Sequence, residues 1–465
     1  MGYIYDAEIK SASLSGPSRD VVKRVSRRKA VRSLAALGVS PFLTSFKTIA
    51  IPPGLQQRPS MKYTDMDPLN PMKAGTNSLY VRPNSEYYYH NMDQLGFRLD
   101  WVKRGGRVFP LERRGNQDDF SYGFLGTEYT AEQFLTRSNV LGMLILHEGE
   151  IVFEQYRHGA SRDSRFLTQS AGKSLTGILV GVAIEEGDIR SADDPVVKYL
   201  PYLKDSGYQN VTVRHLLQMT SGIKWSEDYS GKQDSDVPKL YSAIFKGTPT
   251  IKELAMGVRN EVPPGTAHNY QSLNTFVLGL ILEAATKTPF HVYTSSKLWS
   301  KIGAMSDGFY YSGHKFTEPC AAGTFNATAE DYARVGWMMV NGGRLPGHAR
   351  VISERWIQET LNPDIRVKGL SPEKSPPERL RNGMRTYGYN NQWYIAEPEE
   401  AQDSDRILIA WGAFGQMLYV NLSRRTVGVH ISAWDNPAPL FKWDEMVTFM
   451  NACARKLHPG SKPTR

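Results

Sequence analysis

Two apolar runs joined by Glu148-Gly149, in "VLGMLILHEGEIVFEQY" (residues 140–156), predict a β-hairpin. The pattern then changes. "SAGKSLTGILVGVAIEEG" (residues 170–187) reads as one long apolar helix stopped by Gly187. Short helices follow at "SADDPVVKYLPYL", with Ser191 as its N-cap, and at "TVRHLLQMTSG". Longer ones follow at "LNTFVLGLILEAAT" and "AEDYARVGWMMVNGG", and one capped by Ser353 lies in "PGHARVISERWIQETL". From Arg406 the pattern returns to strands: "RILIAWG", "QMLYVNL" and "TVGVHISAW", with a turn at Ser423-Arg424-Arg425. "PLFKWDEMVTFMNACARKL" closes the chain as a helix.

Strands, many helices, strands and a helix make an α+β order. It predicts an antiparallel sheet built from both chain ends, flanked by helices, with an all-helical insertion between them. The main domain then spans residues 136–465, with the helical subdomain at approximately 190–400. Residues 61–135 are rich in Pro, Gly and aromatics and predict an irregular arm wrapped on that domain. Residues 1–60 read as a basic tail and linker.

Charge and cysteine content narrow the classes. The formal net charge is +9, part of it in the tail segment "RDVVKRVSRRKAVR". No Lys/Arg stripe interleaved with aromatics follows, which argues against a nucleic-acid partner. The twin arginines Arg27-Arg28, followed by an apolar stretch that Arg32 interrupts, fit either a twin-arginine export signal or a basic arm of a cytoplasmic protein. No run of 18 apolar residues is present, so no spanning helix is expected. The two cysteines, Cys320 and Cys453, lie far apart without a CxxC partner; one bridge between them stays open. The ten histidines show no HExxH or HxH spacing, so neither a metal nor a cofactor is expected.

Candidate chemistry centres on a serine with a lysine three residues later. Five serines have that spacing: Ser26, Ser170, Ser221, Ser312 and Ser371. Four sit in a tail, a helix end, a Gly-containing turn or a Pro-rich loop. Only Ser170 stands between a hairpin and a long apolar helix. A serine hydroxyl needs a base within reach to act as a nucleophile. Residues i and i+3 share a helix face, so Lys173 can reach Ser170. Lysine acts as a base only when burial or a nearby cation lowers its pKa, and the apolar run around Lys173 can bury it.

Three further elements complete the candidate site. Tyr270, in "PPGTAHNYQSLNTFVLG", precedes an apolar helix and could act as acid and base beside the lysine cation, which would pull its pKa toward the working range. In "AWGAFGQMLYV" a backbone N–H near Ala413 could pair with that of Ser170 to form an oxyanion hole. The acidic segment 226–236, "SEDYSGKQDSD", offers Tyr229 and Asp236 as groups that could meet a cationic amine on a substrate.

Together these elements resemble the penicillin-recognising serine hydrolases: class C β-lactamases, D,D-peptidases, family VIII esterases and 6-aminohexanoate-dimer hydrolases. Ser170-Ala171-Gly172-Lys173 resembles S-x-x-K, Tyr270-Gln271-Ser272 resembles Y-x-N/S, and "VTVRHLLQMTSGI" resembles a recurrent stretch of that family. "NMDQLGF" and "GAFGQMLYV" are most similar to the 6-aminohexanoate-dimer hydrolase branch. The resemblance implies an α/β sandwich of the β-lactamase/D,D-peptidase type, with Ser170 as the acylated nucleophile, Lys173 as its base partner and Tyr270 as the residue that protonates the leaving group. It also implies substrate contacts from Ser272, where the family often has asparagine, from Asn274 as a possible substitute, and from Trp411. The K-T-G position of the lactamases reads Ala410-Trp411-Gly412 or Trp411-Gly412-Ala413, with no lysine or histidine to meet a substrate carboxylate.

The reading that follows is a serine hydrolase acting on a small-molecule amide or ester, without metal or cofactor. A carboxylesterase or weak β-lactamase of the same fold is the alternative within the class. A binding or sensor module that kept the fold and lost turnover is the alternative outside it; retention of serine, lysine and tyrosine together argues against that.

Overall fold

The computed structural model describes residues 62, 79–80, 82–115, 117–229, 235–363, 384–398 and 405–459. The basic tail, and residues 230–234 of the acidic segment, lie outside the described residues. In chain order the first strands are β1 (Arg98–Val102), β2 (Glu112–Arg113), β3 (Ser121–Phe124), β4 (Thr127–Thr130), β5 (Val140–His147), β6 (Glu150–Tyr156) and β7 (Phe166–Leu167). Then come β8 (Gly308–Ser312), β9 (Phe325–Ala327), β10 (Met384–Asn390), β11 (Trp393–Pro398), β12 (Ile407–Gly412), β13 (Gln416–Asn421) and β14 (Thr426–Ser432).

The main sheet has eight strands in the order β10-β11-β12-β13-β14-β5-β6-β2. The expected joining of the two chain ends occurs where β14 pairs antiparallel with β5, His430 opposite Met143. Only the edge pair β2 and β6 runs parallel. The hairpin between β5 and β6 turns through Glu148 and Gly149, both at positive φ (50° and 87°). That is the pair of left-handed residues a two-residue turn needs to match strand twist.

Each sheet face carries a core. Along β12, Leu408 and Ala410 join the larger core, while Ile407, Ile409 and Trp411 point into the second one. The period of two in strand side chains sets that division. The helix Ala329–Val340 covers one face against β5, β13 and β14. The closing helix Leu440–Leu457 covers the other, where Phe134 and Phe449 stack at 4.2 Å.

Between β6 and β12 lie the helices expected there, including Val213–Leu217, Val237–Lys246, Ser272–Thr286 and Glu354–Leu361. The insertion is not purely helical, however. Strands β8 and β9 pair with β1 and β7 in a second, four-stranded sheet, and its final stretch forms β10 and β11 of the main sheet. Ser353 caps its helix as expected, accepting from the Trp356 amide. Ser191 does not: its hydroxyl accepts from Asp193 N, and the short helix Val196–Tyr199 starts after Pro195. Cys320 and Cys453 are both free and buried, which closes the question of a bridge.

Candidate active site

Ser170 stands on a tight turn. Strand β7 leads into a 3₁₀ turn, Gln169–Gly172, and the α-helix begins only at Lys173 and runs to Glu185. The long helix expected from Ser170 therefore starts three residues later. In a 3₁₀ turn residues i and i+3 eclipse one another. Lys173 Nζ accordingly lies 2.6 Å from Ser170 Oγ and donates to it. Gln169, just before the serine, has φ of +49°, a left-handed conformation uncommon for a residue with a side chain.

The turn is held by close approaches. Thr168 N donates to Phe325 O, and the Tyr332 hydroxyl donates to Ala171 O at 2.8 Å. The end of β12 presses on it from the sheet side: a Cβ at position 412 would come within 2.5 Å of the Thr168 carbonyl oxygen. Only glycine fits there, and this brings the next residue, Ala413, to the cleft that Ser170 borders. Both expected oxyanion-hole residues thus border the same cavity.

Lys173 is 1% exposed. Burial lowers its pKa to about 8, against a smaller opposing pull from the Glu227 carboxylate. About a tenth of this lysine is thus a neutral amine at pH 7. Its Nζ lies 5.1 Å from the centre of the Tyr270 ring. Tyr270 itself packs against Tyr389 (6.2 Å, edge-on) and Tyr394 (6.4 Å, stacked). Burial raises its pKa well above the usual phenol value, Tyr394 and Glu227 add to the rise, and a side-chain hydrogen bond with Ser170 works in the opposite direction. Burial thus overrides the expected lowering of the Tyr270 pKa by a neighbouring lysine cation. With its pKa lowered to about 8, Lys173 gives up its proton before Tyr270 does.

The remaining sequence candidates separate. Ser272 opens the helix Ser272–Thr286 and borders the cavity, and its hydroxyl and amide both donate to Glu227. Tyr229 also borders the cavity and donates to Glu227 at 2.7 Å. Asn274 does not reach the cleft. It is fully buried on another side of its helix, accepting from the Tyr208 hydroxyl (3.2 Å) and donating to Ser221 Oγ (3.1 Å). Asp236 does not line the cavity; its carboxylate accepts from the Ser226 amide (2.9 Å) and pairs with Lys239 (2.6 Å). Trp411 does not line the cavity; it belongs to the second core, stacked on Trp443 at 4.8 Å and 4.6 Å from Tyr394, the ring stacked on Tyr270.

Two residues of the site were missed. Glu227 gathers Ser272 and Tyr229 and adds a negative charge beside the pair Lys173 and Tyr270. It lies in the acidic segment singled out from sequence, but its partner is 45 residues away and no local pattern marks it. Gln169 lines the cavity, and its left-handed backbone had no sequence signal. Among the described residues no three His, Cys, Asp or Glu side chains come together to hold a metal, and no helix is long and apolar enough to cross a membrane.

Comparison with known proteins adds to this geometry. A family model described as Beta-lactamase matches residues 129–447. The 6-aminohexanoate-dimer hydrolase of Paenarthrobacter ureafaciens is 32% identical over 314 residues, which cover 66% of this chain and 76% of the relative. A solved Bacillus anthracis protein, provisionally named a 6-aminohexanoate-dimer hydrolase, superposes with a TM-score of 0.71 at 21% identity, over 83% of this chain and 97% of that one. The octameric penicillin-binding protein homologue from Pyrococcus abyssi superposes with a TM-score of 0.52 at 17% identity, over 70% of this chain and 75% of that one. These two likenesses are of fold.

Proposed function

As the chain belongs to the beta-lactamase family and is a hydrolase by that kinship, we propose that it cleaves a small linear amide through an acyl-enzyme on Ser170. The observation that carries this reading is the 2.6 Å contact between Ser170 Oγ and a Lys173 whose burial lowers its pKa to about 8. In its neutral form the Lys173 amine accepts the Ser170 proton as Oγ attacks the substrate carbonyl. The tetrahedral oxyanion takes hydrogen bonds from the Ser170 and Ala413 amides, a pair of donors fixed before the reaction begins. Tyr270, kept protonated, gives its proton to the leaving nitrogen, because an amide anion is too poor a leaving group to depart alone. Lys173, now an ammonium, returns a proton to Tyr270. Water then repeats the sequence on the acyl-enzyme.

An ester is the second substrate class. It needs less help at the leaving group, and the acyl side of the chemistry is identical. Efficient β-lactamase action is disfavoured, because Ala410-Trp411-Gly412 offers no cation for a substrate carboxylate and Trp411 does not line the cavity. A sensor without turnover has no need of a desolvated lysine against a serine.

A fluorophosphonate probe followed by intact mass measurement tests the reading. One adduct per wild-type chain, absent from Ser170→Ala, is expected. A wild-type chain that stays unlabelled under conditions where it is folded contradicts it.

A further inference from the structure

We propose that the cavity beside Ser170 receives the acyl part of the substrate, and that this part is short and uncharged. The inference rests on Ser170 being the acylated nucleophile. Ser170 and Ala413 border the cavity, whereas Lys173 and Tyr270 do not. Proton transfer to the leaving group therefore happens to another side of the serine, which leaves the cavity for the chain attached to the carbonyl.

Its walls set the chemistry. Leu240, Ile244 and Phe276 supply apolar surface. Tyr80 and Tyr311 also line it, and their hydroxyls are engaged with each other at 3.0 Å. Among the described residues no Lys, Arg, His, Asp or Glu side chain lines the cavity. Two charged groups stand just behind the lining: Glu227, bound by the cavity residues Ser272 and Tyr229, and Lys173, bound to Ser170. A carboxylate entering here would lose its hydration, meet no cation on the lining itself, where Lys173 is already engaged by Ser170, and face the like charge of Glu227. An ammonium would find Glu227 already bound by three donors, the Ser272 amide and the hydroxyls of Ser272 and Tyr229. The free space is about 50 Å³. A cavity this small admits a chain of only a few heavy atoms.

The test uses p-nitrophenyl esters from acetate to octanoate, together with the mono-p-nitrophenyl ester of glutarate, on the full chain. We expect kcat/KM to peak near butyrate and valerate and to fall at least about tenfold by octanoate, in line with the discrimination a methylene-filled pocket achieves. The glutarate ester should be slower than valerate by about 100-fold or more, because its carboxylate meets no cation on the lining. Ile244→Ala should raise the ratio of hexanoate to butyrate turnover about tenfold, and Leu240→Ala serves the same purpose if the first variant does not fold. Turnover of the glutarate ester equal to that of valerate, or a folded, enlarged variant with an unchanged ratio, overturns the inference. Probe labelling of Ser170 separates the two claims. A labelled enzyme that prefers the charged ester refutes the cavity assignment alone, and an enzyme that takes no label refutes the acyl-enzyme reading and this inference with it.

Discussion

Lys173 Nζ sits 2.6 Å from Ser170 Oγ because a 3₁₀ turn, not an α-helix, separates them. The tighter winding stacks the two residues, and the α-helix that begins at the lysine carries its side chain into an apolar interior. The proposed nucleophile and its desolvated base are thus supplied by four consecutive residues. The proposed acid, Tyr270, arrives from a different segment.

The pH dependence follows from the lysine. Burial lowers its pKa to about 8, and the proposed mechanism uses the neutral amine. With a neutral ester as substrate, kcat/KM should rise about tenfold per pH unit below that value and level off above it. A profile flat between about pH 6 and pH 9 would remove Lys173 from the role of base.

The same burial has a stability consequence. In the unfolded chain Lys173 holds its proton up to about pH 10.4, whereas in the fold it loses it near 8. Below pH 8 the protein therefore carries the full penalty of a buried ammonium, and the penalty is relieved as pH rises from about 8 to 10. Lys173→Met should be inactive and, at pH 7, more stable by up to about 3 kcal/mol, each pKa unit being worth about 1.4 kcal/mol. Urea unfolding at pH 7 checks this, and a destabilised, still-folded Met variant would contradict it.

Glu227 tunes that base. Its carboxylate raises the Lys173 pKa, so Glu227→Gln should move the acid limb of the pH profile to lower pH. Glutamine keeps an oxygen to accept from Ser272, which preserves the start of that helix. An acid limb that stays in place or moves upward would detach Glu227 from the lysine.

Much of this was legible in the sequence, and the failures have physical causes. The S-x-x-K pair at Ser170 stood out because only one of five such serines opened an apolar helix. The strand and helix order gave the α+β sheet, since both sheet faces are buried and their runs are long. Asn274 was misplaced by helix geometry: two residues beyond Ser272 is about 200° round the axis, so the two cannot share a face. Trp411 was misplaced by strand alternation, which sends it to the opposite face from Leu408 and Ala410. Asp236 is satisfied by Ser226 and Lys239, contacts that a loop sequence does not announce. The Tyr270 pKa was expected to fall beside a cation, but burial acts on both groups and neutralises the lysine first.

Tyr270→Phe separates amides from activated esters. The variant keeps its ring between Tyr389 and Tyr394, so stability should change little. Loss of a general acid should lower kcat/KM for an amide by about 10²–10⁴-fold, with a smaller loss for a p-nitrophenyl ester of the same acyl group. Equal losses of less than about tenfold on both substrates would leave Tyr270 a packing residue.

The acyl-enzyme itself gives the most direct test. Wild-type protein mixed with a p-nitrophenyl ester, quenched in acid during turnover and digested, should carry the acyl mass on the peptide containing Ser170. Ser170→Ala should lose that adduct and at least about 10³-fold of its activity while remaining folded, as expected when one member of a concerted set is removed. An acyl group on any other residue, or an alanine variant that keeps its turnover, would contradict the account.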